Sequence, residues 1–147
     1  MSNLKAEPTT HLMKKLIFIA LCLLTLGSTL GQHYNVQSKN GYASYYSVRT
    51  NGGTTTASGT PLSDNALTAA SCHYPLGSMV RVVNPKNGKS VVVKITDRGP
   101  FAASTSGVAL RPLRPHPKRV IDLTLAAARR IYSLEIGVIE VKTYKIK

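Results

Sequence analysis

The sequence predicts a mainly β fold, a compact barrel of short strands with one small helix. Three observations point to it. Short runs rich in Val, Ile, Tyr and Thr recur from Gly41 to the C-terminus, separated by Gly, Pro, Asn and Ser turns. One unmistakable hairpin lies between Met79 and Thr96. Only Leu125 to Tyr132, with three consecutive alanines, reads as helix. At 147 residues the chain has room for one domain, and 43% hydrophobic residues suffice for a core.

The elements follow in order. Residues 1–12 read as an upstream extension. Met13-Lys14-Lys15, the apolar Leu16–Leu26 and the small residues Gly27 to Gly31 then form a secretory signal. The apolar run falls short of the about 20 residues a membrane span needs, so no stable span is expected. Cleavage is expected near Gly31. Cys22 follows Leu21 rather than a small residue and sits inside the apolar run, which argues against a lipid anchor.

Residues 32–40 read as a flexible polar lead, and 41–147 as the folded domain. Tyr42 to Ser47 is strand-like, Arg49 to Asp64 a Gly/Thr/Ser loop, and Ala66 to Ser71 a short strand stopped by Pro75-Leu76-Gly77. In the hairpin, Asn87-Gly88 supplies the turn. Val91, Val93 and Ile95 share one face of its second strand, with Lys94 and Thr96 on the other. A long Ala/Ser/Pro loop, Ala102 to Lys118, carries Arg111, Arg114, His116 and Lys118. Val120 to Leu123 is short and apolar, Thr124 is a candidate N-cap, and Arg129 and Arg130 suit the helix C-terminal half. Gly137 breaks the chain before a closing strand, Val138 to Ile146.

Charge narrows the partners. There are 19 Lys+Arg against 6 Asp+Glu, a net charge of +13. Loss of residues 1–31 removes Lys5, Lys14, Lys15 and Glu7, leaving 16 basic and 5 acidic residues. Such a balance calls for an anionic partner. An exported chain without paired aromatics and Arg/Lys clusters is a poor nucleic-acid binder, so an envelope polymer is expected instead. Two cysteines cannot staple the fold, no Cys/His spacing makes a metal site, and no cofactor motif is present. Cys72 reads as a small, semi-buried apolar residue.

Read in order, the landmarks are Gly41-Tyr42-Ala43-Ser44-Tyr45-Tyr46, Thr56-Ala57-Ser58-Gly59, Ala66-Leu67-Thr68-Ala69-Ala70 and Pro75-Leu76-Gly77. Then come Asn87-Gly88-Lys89-Ser90-Val91-Val92-Val93, Asp97-Arg98-Gly99-Pro100-Phe101 and Val120-Ile121-Asp122-Leu123. This series, spanning Gly41 to Ile146, resembles the rare lipoprotein A family. The resemblance implies a six-stranded double-psi β-barrel with one or two short helices. It also implies an exported, periplasmic or envelope-bound septal lytic transglycosylase that cleaves peptidoglycan strands lacking stem peptides and leaves 1,6-anhydro-muramic ends. Related expansin-like barrels loosen walls with little hydrolysis, so a non-catalytic wall-binding module is the alternative. A monomer without cofactor is expected.

The sequence departs from the family pattern at sites that matter. Tyr45 stands where a Trp is usual, and the loop between Phe101 and Val120 is longer and more basic. The catalytic His expected after Thr-Ala-Ala is replaced by Ser71. By resemblance Asp97 is the catalytic acid; its other reading is a turn-capping carboxylate. Asp122 matches a functional Asp of the expansin-like relatives, or else marks the helix entry. His73, two residues past Ser71, would share its side if the strand continued, and so is either the replacement imidazole or a strand-end histidine. Ser58, Ser71, Tyr45 and Arg98 are the expected substrate contacts. Tyr45 and Tyr46 alternate sides, so only one faces the substrate.

Overall fold

In the computed structural model, which describes residues 36–146, six strands close into a barrel. The expected extension, the signal segment and Cys22 lie outside the described residues. The strands are β1 (Ser38–Tyr46), β2 (Thr68–Ala70), β3 (Met79–Val83), β4 (Ser90–Asp97), β5 (Arg119–Thr124) and β6 (Ile139–Lys145). A short helix, α1 (Leu125–Ile131), and a single 3-10 turn, Leu134–Ile136, separate β5 from β6. Around the barrel the order is β1-β5-β2-β4-β3-β6, with β6 pairing back onto β1. The pairs β1–β5 and β2–β4 are parallel and the other four antiparallel. Two parallel pairings interleaved in this way make it a double-psi barrel.

The interior follows from alternation. Val80 and Val82 in β3, Val91, Val93 and Ile95 in β4, and Ile121 and Leu123 in β5 all point inward and are buried. Each large aliphatic side chain so buried contributes roughly 1.5–3 kcal/mol. Ala43 and Ala69, also fully buried, leave room for these larger neighbours. One polar contact crosses the core: the Tyr74 and Thr143 hydroxyls lie 2.7 Å apart, and Thr143 donates to the Lys39 carbonyl. Helix α1 seats Ala127, Ala128 and Ile131 against the barrel. Its C-terminal carbonyl at Ile131 accepts hydrogen bonds from Asn84 and Asn87, so the hairpin turn also caps the helix.

Several boundaries differ from the sequence reading. β1 begins at Ser38, because Ser38, Lys39 and Asn40, expected in the flexible lead, pair with Tyr144, Thr143 and Lys142. Thr124 precedes the helix but makes no side-chain cap; its hydroxyl instead donates to the Ala66 and Thr68 carbonyls and ties β5 to β2. β2 ends at Ala70, so strand alternation does not reach His73.

Two register shifts interrupt the parallel pairs. In β4, Ile95 pairs with Ala69 but Asp97 pairs with Ala70, leaving Thr96 as the extra residue. Thr96 is consequently buried rather than exposed beside Lys94. In β5, Arg119 pairs with Tyr42 but Ile121 with Ala43, leaving Val120 extra. Strict alternation would aim Asp97 and Arg119 to the same side as the inward Ile95 and Ile121. One added residue in each strand swings them to the other face.

Gly41 permits the second shift. A Cβ there would lie 2.6 Å from Val120 Cγ1 and 2.8 Å from the Lys118 carbonyl oxygen. Gly41→Ala is therefore expected to push β1 off β5 and cost about 1–3 kcal/mol. Denaturant unfolding checks this, and an unchanged midpoint contradicts it.

Candidate active site

The shifted registers assemble a row of side chains across four strands. Asp97 in β4 pairs with Ala70 in β2, Ala70 with Asp122 in β5, and Asp122 with Ser44 in β1. With strands about 4.8 Å apart, the two aspartate backbones stand roughly 10 Å from each other. Ala70 between them has no side chain long enough to separate them.

Asp97 is held by backbone. Its Oδ1 accepts the Ala57 N–H at 3.0 Å and the Arg98 N–H at 2.8 Å. The loop carrying Thr56-Ala57-Ser58-Gly59 folds over the strand end for this purpose, and the Ser58 N–H also donates to the Thr96 carbonyl at 2.9 Å. Ser58 itself is exposed, and its hydroxyl meets those of Thr56 and Thr60.

Asp122 is held by side chains. Ser44 donates a short hydrogen bond to its Oδ1, Arg119 donates to the Ser44 hydroxyl at 2.7 Å, and the Arg119 guanidinium lies 3.5 Å from the carboxylate. Burial raises the Asp122 pKa above its ordinary value; the Ser44 hydrogen bond, Arg119 and His116 oppose that rise. The carboxyl thus binds its proton more readily than an exposed aspartate.

Tyr46 lies near both carboxylates. Burial drives its pKa well up, with the Asp97 and Asp122 charges adding to the effect. Its hydroxyl and that of Thr96 are both buried and lie against each other, an approach that opposes the rise, without a well-formed hydrogen bond to any other described residue. Tyr45, the expected sugar platform, is exposed on the other side of the strand beside Tyr132.

The remaining expected residues have other occupations. Ser71 is fully buried; its hydroxyl donates to the Val120 carbonyl at 2.8 Å and accepts the His73 N–H at 3.1 Å. His73 sits by Lys39 and Gln37: its carbonyl accepts from Gln37, and burial and then Lys39 lower its pKa, with no carboxylate contributing. Arg98 spends its guanidinium on the Ser71 and Tyr74 carbonyls, at 3.0 and 2.7 Å. It braces the turn after β2. Cys72 contributes only a 3.9 Å contact with the Pro100 carbonyl.

The imidazole that shares a pocket wall with Arg119 is His116, from the long loop. Its Nδ1 accepts the Lys118 and Arg119 N–H groups at 3.1 and 2.9 Å. Sequence reasoning grouped it with the loop cations; only the fold of the loop brings it beside β5. Ser44 and Tyr46 were also missed, although their two-residue spacing within Ser44-Tyr45-Tyr46 puts them on one face. Among the described residues no three His, Cys, Asp or Glu side chains cluster as metal ligands, and no helix is long and apolar enough to cross a membrane.

The fold and the row together define a double-psi barrel with two carboxyl groups aligned on one outer face. The family model described as lytic transglycolase matches residues 38–143. The chain belongs to that family, the rare lipoprotein A group whose motifs it carries. It is 38% identical over 109 residues to the endolytic peptidoglycan transglycosylase RlpA of Neisseria meningitidis, covering 74% of this chain and 39% of that one. Against the protein of the same name from Pseudomonas aeruginosa it is 40% identical over 102 residues, 69% of this chain and 26% of the relative. The chain thus spans well under half the length of these relatives. Among solved structures the barrel resembles the Streptomyces papain inhibitor (TM-score 0.54, 22% identity, 76% of this chain and 96% of that one). It also resembles the Clavibacter michiganensis expansin (TM-score 0.51, 21% identity, 76% and 51%). Those two likenesses concern the fold.

Asp122 gives a pH prediction. Because its folded pKa is raised, the neutral form stabilises the fold, and that contribution fades as pH climbs from the ordinary value of 3.8 through the raised one. Asn cannot ionise. The thermal midpoint of the native protein should therefore fall relative to that of Asp122→Asn over this range; a rise would contradict the assignment.

Proposed function

We propose that the barrel is an exported lytic transglycosylase that cleaves peptidoglycan strands free of stem peptides. The observation that carries this reading is the row Asp97–Ala70–Asp122–Ser44, found in a chain whose family relatives are named endolytic peptidoglycan transglycosylases. An envelope location fits the signal segment, and an anionic wall polymer fits the charge of +13.

The chemistry needs one proton carrier used twice. Asp97 is that group: Oδ1 is fixed by two N–H donors, leaving Oδ2 to work. It protonates the glycosidic oxygen as the C1–O bond breaks. The resulting carboxylate then takes the proton of the muramic acid 6-hydroxyl as that oxygen closes on C1, giving the 1,6-anhydro ring. Attack from within the same sugar gains the proximity that water lacks. Asp122, oriented by Ser44 and Arg119, faces the positive charge that develops on the ring. The row is built from one chain, so the proposed chemistry needs no residue from a second copy.

A second reading has its own support. Ser71 replaces the family histidine and is buried on a backbone carbonyl, and His73 faces Lys39. On this reading the barrel binds wall glycan without cutting it.

Digestion of peptide-free glycans followed by mass spectrometry separates the two. Anhydro-muramic ends are expected; intact glycan retained on the protein selects the binding module, and reducing ends contradict both. Asp97→Asn should lower the rate at least about 100-fold while glycan binding survives. His73→Ala should have a clearly smaller effect. An unchanged rate in Asp97→Asn overturns the acid assignment.

A further inference from the structure

Beside the row lies an open pocket of about 390 Å³, lined by Tyr42, His116, Lys118, Arg119 and Val138. That size falls within the roughly 300–1,000 Å³ of small-molecule sites. Its walls divide by chemistry. Tyr42 and Val138 are 42% and 48% exposed, an apolar surface left open to solvent. Lys118 and Arg119 supply positive charge. Arg119 commits its NH1 nitrogen to Ser44 and Asp122, but a guanidinium has five donors. Lys118 is exposed and has no ion pair among the described residues. His116, accepting two backbone N–H bonds at Nδ1, holds the neutral form with its proton on Nε2. It therefore presents a donor edge, so the polar wall consists of donors, with Asp122 already matched by Arg119.

We propose that this pocket is a subsite for a sugar that carries a carboxylate, placed next to Asp122. Tyr42 and Val138 take the apolar face of the ring, while Lys118, the free donors of Arg119 and the His116 Nε2–H take the carboxylate. The pocket exists because the long loop returns to β5 here: Tyr42 donates its N–H to the Lys118 carbonyl at 3.0 Å, and the His116 N–H is fixed by the Pro100 carbonyl at 2.9 Å. The loop that lengthens the chain between Phe101 and Val120 thus acquires a task, selection of acidic over neutral sugars. Arg119 joins the pocket to the row, so an occupied subsite sets the register of the glycan on Asp122. This deepens the transglycosylase reading and rests on it for the identity of the sugar.

The test measures binding rather than cleavage. The full-length protein, with Asp97→Asn to prevent turnover, is titrated calorimetrically with a peptide-free muramic-acid tetrasaccharide. The same glycan with its carboxyls reduced to alcohols is the comparison. The acidic form should bind about fivefold tighter or more, and Lys118→Met should remove most of that difference while leaving the reduced glycan unaffected. Lys118 is exposed and Met keeps the apolar stem, so folding is preserved. Equal affinity for the two glycans overturns the subsite, as does an equal effect of Lys118→Met on both. Inorganic phosphate competing as well as the glycan also overturns it, marking a small-anion site only. Anhydro products without carboxylate-dependent binding sink the subsite alone; carboxylate-dependent binding without anhydro products sinks the transglycosylase reading alone.

Discussion

Two extra residues, Thr96 and Val120, govern the active face of this barrel. Each sits in a strand that pairs in parallel with its neighbour, and each reverses the alternation beyond it. Without the first, Asp97 continues the inward sequence of Val91, Val93 and Ile95 and becomes a charge in an aliphatic core. Without the second, Arg119 follows Ile121 inward in the same way. A buried, unpaired charge costs several kcal/mol, so the shifts are conditions of folding as much as of chemistry. The parallel pairs themselves place β5 between β1 and β2, which is why residues as distant in sequence as Ser44, Ala70, Asp97 and Asp122 share one line.

The two carboxyl groups reach that line by different routes and acquire different properties. Backbone donors from Ala57 and Arg98 position Asp97 at a strand end, where the loop above it is made of small residues. Side-chain donors from Ser44 and Arg119 hold Asp122 deeper, where burial strengthens its hold on a proton. Tyr46 sits close enough to feel both charges, with its buried hydroxyl against that of Thr96. The proposed transglycosylase chemistry asks Asp97 for the proton and Asp122 for the charge, so Asp122 has to give up the proton that burial helps it hold, and Arg119 and Ser44 are the groups that favour this.

Much of the barrel was legible from residues alone. The hairpin, the helix and the closing strand follow from alternation, Asn87-Gly88 and the alanine run, while the count of six strands is what the resemblance to the rare lipoprotein A family implies. Asp97 and Asp122 were legible as carboxylates in those motifs. What alternation misses is a change in alternation: it puts Thr96 on the face of Lys94 and leaves His73 open between the face of Ser71 and a strand end, because the shift in β4 leaves no local mark and the end of β2 is not fixed by its own residues. His116 was hidden for another reason. It lies in a loop whose path is set by contacts with Pro100 and with the backbone at Lys118 and Arg119, far from any periodic segment. Tyr45 drew attention as the residue replacing a Trp, while the tyrosine beside the carboxylates is the next one along.

The most direct measurement is a crystal structure of Asp97→Asn with a peptide-free muramic-acid oligomer bound. The glycan should cross the barrel over Ala70, with one sugar linkage beside residue 97 and the neighbouring ring reaching Asp122. A glycan bound on a face that touches neither residue 97 nor Asp122 would contradict the assignment of the site.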